Sequence, residues 1–172
     1  MERVILGIDP GTTVMGYGVI RIIDRKVEFV ALGAINLKAI KNHYLTLRKI
    51  FEEVNRLIET HLPDELAIEA PFFEKNVQSM LKLGRAQGVA ITAAIVREIP
   101  VAEYAPLKIK MAITGQGRAS KEQVADMLCR ILKIPHDILP KELDATDGLA
   151  AAYCHYWYAA YYHRKPNPSL DD

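Results

Sequence analysis

The chain has 172 residues, half of them apolar, which is enough for one well-filled core. Its two cysteines, Cys129 and Cys154, lie far apart with no Cys-x-x-Cys spacing, which argues against a disulfide scaffold or a thiolate metal site. The net charge of +1 hides an uneven distribution: residues 72–133 hold ten basic and five acidic groups, a local excess of +5 that points to a polyanionic partner.

In chain order, "RVILGID" (3–9) and "GYGVIRII" (16–23) are rich in β-branched residues, and "DRK" forms a short turn before "VEFVALGAIN" (27–36). These three runs predict an antiparallel meander. Over 44–61 the apolar residues Leu47, Ile50, Phe51, Val54, Leu57 and Ile58 recur at helical spacing, and "LPDE" ends the pattern. "ELAIEA" (65–70) follows as a short buried strand, and a strand after a helix implies a crossover to a parallel position. A long helical pattern over 77–98 precedes the strand "VAEYAP" (101–106), and further helices are expected over 107–113, 121–132 and 142–162. The tail "KPNPSLDD" is expected to fray, leaving one domain over 1–164 and a disordered 165–172. No apolar run reaches the length of a bilayer span, and the N-terminus opens on a strand rather than on the zones of a secretory signal. A soluble cytoplasmic protein is therefore expected.

Three antiparallel strands, then helix, strand, helix, strand and helices, make an α/β fold with a mixed five-stranded sheet covered on both faces. This is the ribonuclease H-like order. It brings the ends of the first and fourth strands side by side and packs a late helix against them. Four acids on three elements fall at that place: Asp9 ends the first strand, Glu69 ends the fourth, and Asp144 and Asp147 of "LDATDGLAAAYCH" share a face near a helix start. Taken singly, each has an ordinary explanation as a turn former, a strand-end charge or a helix N-terminal acid. Gathered together they repel one another and raise each other's pKa, and a bound cation removes that repulsion.

Carboxylate ligands without a nearby histidine or thiolate suit Mg²⁺ or Mn²⁺ rather than zinc. Two such ions about 4 Å apart are the usual device for phosphodiester cleavage, with Asp9 at the centre of the sheet as the natural bridging ligand. His136, His155 and His163 are assigned no role. Phe72 and Phe73 form an aromatic pair in the loop after Glu69, and a stacked ring contributes ~1–3 kcal/mol per unpaired base. Lys108, Lys110, Arg118 and Lys121 flank "TGQG", whose glycines permit a loop that follows a phosphate backbone. Gly84, Gly88 and Thr92 fall at steps of four on the long helix beside Leu81 and Leu83. That face suits either a dimer contact or close packing on the chain's own sheet.

The blocks "GIDPGTTVMGYGVI", "AIEAPFFEKNVQSMLKLGRAQG", "TGQGRASKEQV" and "DATDGLAAAYCH" resemble, in order and spacing over about residues 3–156, those of the RuvC family of bacterial Holliday junction resolvases. The resemblance implies a homodimeric endonuclease acting on four-way DNA junctions in recombination and repair, beside a branch-migration helicase complex. It further implies Mg²⁺-dependent nicks in two strands of like polarity that leave 5′-phosphates and 3′-hydroxyls. On this resemblance Asp9, Glu69, Asp144 and Asp147 are the catalytic, metal-binding acids, and Phe72 is an aromatic that stacks on junction bases. Lys110 and Lys121 become backbone contacts, Arg118 a helper, and the Gly84, Gly88 and Thr92 face a dimer interface. Three other readings stand beside it: a nucleotide-binding domain of the actin-like kinase type, a ribonuclease H-like nuclease acting on another DNA or RNA structure, and a module that binds junctions without cutting.

Overall fold

β1 (Glu2–Asp9), β2 (Val14–Ile23) and β3 (Lys26–Asn36) form the expected antiparallel meander. Asp24 and Arg25, both at positive φ, make its second turn, the backbone pair whose twist matches that of the flanking strands. The computed structural model describes residues 2–71, 76–135, 138 and 143–162. The expected tail at 165–172, with His136, His163 and Phe73, lies outside these residues.

α1 (His43–His61) starts where the Asn42 side chain accepts hydrogen bonds from the Tyr44 and Leu45 backbone N–H groups, and it buries Ile50, Val54, Leu57 and Ile58. It returns the chain to β4 (Glu65–Glu69), which pairs in parallel with β1. α2 (Val77–Ile95) then leads to β5 (Val101–Tyr104), parallel to β4. Three α-helices follow among the described residues: α3 (Pro106–Thr114), α4 (Lys121–Leu132) and α5 (Asp144–Tyr162). The sheet order is β3-β2-β1-β4-β5, so β1 is central. Among the described residues no helix is long and apolar enough to cross a membrane.

Two element ends differ from the pattern in the sequence. α2 stops at Ile95 rather than at 98, because Glu98 takes a positive φ and the Ile99 N–H turns back to the Ala94 carbonyl, a common helix termination. The fifth strand stops at Tyr104, since Pro106 is better placed opening α3, where its missing N–H costs nothing.

The two faces of the sheet bury different sets of residues, as strand alternation requires. Leu6, Ile8, Leu66 and Ile68 pack with α1 and α2, whereas Ile5 and Ala67 pack with the cluster built from α3, α4 and α5. Asp9 and Glu69 keep step with Ile5 and Ala67 and so belong to the α5 face. α5 reaches that face because the sheet offers glycine there: a Cβ at Gly7 would stand 2.1 Å from the Gly148 carbonyl oxygen, and one at Gly16 would stand 1.8 Å from that of Asp144. Glycines in β1 and β2 therefore let the helix that carries two acids lie almost on the backbone of the strands.

Candidate active site

Asp9 ends β1 opposite Gly16, and the register Ile8 to Ile68 puts Glu69 at the end of the neighbouring strand. Asp144 and Asp147 occupy the first turn of α5, where the helix dipole favours negative charge. A carboxylate oxygen from each of Asp9, Asp144 and Asp147 lies within 4.8 Å of the other two. Glu69 stands beside this trio rather than in it. It lines the same cleft of about 410 Å³, together with Asp9, Asp147, Lys110 and Lys121.

Burial and mutual repulsion set the electrostatics. Asp9 is pushed up to about 8, first by burial and then by the charges of Glu69 and Asp147, with Lys121 opposing. Burial, followed by the charge of Asp147, raises Glu69 to about 7 against the pull of Lys121 and Lys110. Asp147 is also raised, chiefly by burial, although a hydrogen bond from Lys121 offsets part of the effect. Groups that resist ionisation this strongly need a cationic partner to stay charged near neutral pH. An all-oxygen donor set fits a hard divalent cation, so the residues present suit Mg²⁺ or Mn²⁺.

Lys121 supplies the positive charge within the site itself. Its ammonium donates to Asp147 Oδ2 at 2.5 Å and lies 3.6 Å from Asp144 Oδ1. Burial works to lower its pKa, but the hydrogen bond and the charges of Asp147, Asp9 and Asp144 outweigh that and raise it. The sequence pattern assigns Lys121 to the DNA backbone; the fold turns it, as the first residue of α4, onto the acids. Lys121→Met is therefore expected to lower the melting temperature in metal-free buffer and to enlarge the gain produced by Mg²⁺. Equal gains in the variant and the parent would remove Lys121 from the site's charge balance.

The other expected residues separate. Lys110 lines the cleft. Lys108 does not: its ammonium sits over the Tyr158 ring, 4.2 Å from the centroid, and 5.4 Å from that of Tyr104, a cation–π arrangement that holds it outside. Arg118 is exposed in the turn between α3 and α4 and is not part of the cleft lining. "TGQG" is a packed turn rather than a loose loop, since Gly115 caps α3 at φ 71° and a Cβ on Gly117 would touch Leu107 at 3.1 Å. Phe72 lies outside the described residues. Gly84, Gly88 and Thr92 are exposed, and a Cβ on either glycine would meet nothing within 4 Å. The alternative of close packing on the chain's own sheet is thereby overturned, because α2 buries Ala86, Ala90, Ala93 and Ala94 instead.

Sequence reasoning missed Gln87 and His155. Gln87 is buried on α2 and donates to the Glu103 carboxylate at 2.9 Å and to the Glu69 carbonyl at 3.4 Å, next to a candidate acid. Its signal was a polar residue inside a stripe of alanines. His155 joins Glu65 and Tyr104, partners far apart in sequence that no local pattern connects.

The family model described as "Crossover junction endodeoxyribonuclease RuvC" matches residues 5–155. The chain is 67% identical over 155 residues to the Crossover junction endodeoxyribonuclease RuvC of Bacteroides fragilis, covering 90% of this chain and 82% of that protein. Identity to the corresponding protein of Porphyromonas gingivalis is 59% over 156 residues, covering 91% and 82%. The solved structure "T. thermophilus RuvC in complex with Holliday junction substrate" aligns with a TM-score of 0.78 and 29% identity, covering 92% of this chain and 96% of that one. A match of this length and identity, with the acids meeting at one end of the sheet, makes the assignment plain: the chain belongs to the RuvC family.

Proposed function

We propose that the protein is a structure-selective endonuclease that resolves four-way DNA junctions in homologous recombination and DNA repair by paired nicks in strands of like polarity. The observation that carries this reading is the meeting of Asp9, Asp144 and Asp147, with Glu69 beside them, in an open cleft flanked by Lys110 and Lys121. A protein that only bound DNA would gain nothing from negative charge set against phosphate.

In this reading Asp9, Glu69, Asp144 and Asp147 are the catalytic acids. Mg²⁺, two ions per active site and replaceable by Mn²⁺, would supply the charge that neutralises these acids and polarises the scissile phosphate. Asp9, central among the acids, would be shared between the ions. Asp144 and Asp147 would hold the flanks, and one of them would orient or deprotonate the attacking water. Lys110 offsets the phosphate charge at the cleft, and Lys121 adds a second cation within reach of it. Hydrolysis in this sense leaves a 5′-phosphate and a 3′-hydroxyl.

Two nicks on one junction call for two sites at a fixed separation, which a two-fold dimer provides. The exposed α2 face of Gly84, Gly88 and Thr92, with Leu81 also exposed, suits that contact. Phe72 would stack on bases at the crossover, and Lys108 and Arg118 would meet backbone phosphates beyond the cleft. The setting proposed is the cytoplasm, alongside a branch-migration helicase complex.

Comparing cleavage of a synthetic four-way junction, a linear duplex and an RNA–DNA hybrid in Mg²⁺ tests the reading. Symmetric nicks confined to the junction are expected. Equal cutting of the linear duplex, or preference for the hybrid, would overturn it in favour of a nuclease for another structure.

A further inference from the structure

The four acids stand on three elements, β1, β4 and α5, and strand glycines let α5 lie close against the sheet. Gly7 meets the backbone of Gly148 and Ala152, and Gly18 meets that of Leu149. Around these close backbone contacts Leu149, Ala150, Tyr153 and Cys154 of α5 pack with Ile5, Ile20 and Ile22 of the sheet.

We propose that His155 is a positioning residue for the active site, setting the axial place of α5 and hence of Asp144 and Asp147 against the sheet; this rests on the nuclease reading above. His155 lies eleven residues beyond Asp144, about 16 Å along the helix at 1.5 Å per residue. Its ring joins α5 to two strands at once: Nε2 meets the Glu65 carboxylate, and Nδ1 meets the Tyr104 hydroxyl at 2.7 Å. Glu65 opens the strand that Glu69 closes, and Tyr104 pairs with Glu69 across β4 and β5. Arg3 of β1 lies 3.4 Å from the second Glu65 oxygen and ties the remaining acid-bearing strand to the same point.

The chemistry of the three groups is self-consistent. A carboxylate accepts, so Nε2–H donates to Glu65, while Nδ1 shares a hydrogen bond with the Tyr104 hydroxyl. One imidazole ring satisfies both neighbours with its side chain only 14% exposed. Directional hydrogen bonds at both ring nitrogens oppose sliding and rotation of α5 against the sheet. A helix is stiff, so a displacement at His155 appears undiminished at Asp144 and Asp147.

The test uses His155→Phe, which keeps an aromatic ring and loses both bonds, Tyr104→Phe, which loses one, and His155→Gln, which restores a donor toward Glu65. Each is assayed for melting temperature, junction binding in Ca²⁺, the Mg²⁺ concentration giving half-maximal junction cleavage, and the Mg²⁺-induced rise in melting temperature. His155→Phe is expected to bind junctions like the parent while needing ~10-fold more Mg²⁺, with Tyr104→Phe and His155→Gln in between. Folded variants with the parent's Mg²⁺ response would overturn the proposal; if His155→Phe fails to fold, Tyr104→Phe decides it by the same comparison. A parent protein that does not cut junctions would refute the function reading instead, and the Mg²⁺-induced melting shift would still read the positioning of the acids.

Discussion

Asp9→Asn is expected to abolish Mg²⁺-dependent junction cutting, by ~10³-fold or more, while junction binding in Ca²⁺ persists. It is also expected to stabilise the metal-free protein, and the pH dependence follows from linkage. Asp9 rises from 3.8 to about 8 on folding, so between those values the folded protein holds more protons than the unfolded chain. Stability therefore falls as pH rises through that window. Removing the carboxylate removes that loss: the melting temperatures of variant and parent should nearly coincide near pH 4 and diverge upward, with a gain of up to about 6 kcal/mol, or on the order of 10 °C, near pH 8 in chelator. Glu69, raised from 4.5 to about 7, adds to the same slope and remains in the variant. Saturating Mg²⁺ should reverse the order, because only the parent keeps the full ligand set. Normal cutting by the variant, or a lower melting temperature than the parent near pH 8 in chelator, would contradict the assignment of Asp9.

Gly16→Ala is the second large effect. The new methyl would stand 1.8 Å from the Asp144 carbonyl oxygen and 2.9 Å from its carbonyl carbon. Both are backbone atoms, so no side-chain rotation relieves the clash, and the start of α5 must lift from the sheet. A cost of about 2 kcal/mol or more is expected, with Asp144 and Asp147 carried away from Asp9. Cleavage should fall at least tenfold at temperatures well below the variant's melting point, as thermal melts and junction assays on the same samples would read. Full activity at unchanged stability would mean that α5 does not press on β2 as described.

Most of the element order was legible because periodicity is local. The alternation in "RVILGID" and the helical spacing from Leu47 to Ile58 each report a buried face without reference to any distant residue. The acids were legible for a related reason: once β1 and β4 are parallel neighbours, their last residues must lie together, and Asp9 and Glu69 are those residues. What stayed hidden depends on contacts between elements. Nothing in "SKEQV" says that Lys121 turns toward Asp147 rather than outward, and nothing near Lys108 announces Tyr158 as its partner. The tight turn at Gly115 and Gly117 reads in sequence like a mobile loop, because glycine serves both purposes. His155 was given no role because its partners Glu65 and Tyr104, and Arg3 that meets Glu65, come from three separate strands. Glu69, one strand away from the Asp9, Asp144 and Asp147 group, shows that the sequence locates a site to within a strand spacing but does not resolve which acids share a ligand.

The central claim is that these carboxylates bind the divalent ions that drive junction cleavage. Anomalous diffraction from crystals soaked in Mn²⁺ tests it most directly. Strong density bounded by Asp9, Asp144 and Asp147, with Glu69 at its edge and the Lys121 ammonium withdrawn from Asp147, is the expected result; Mn²⁺ density elsewhere, or none with Lys121 still bound to Asp147, would contradict it.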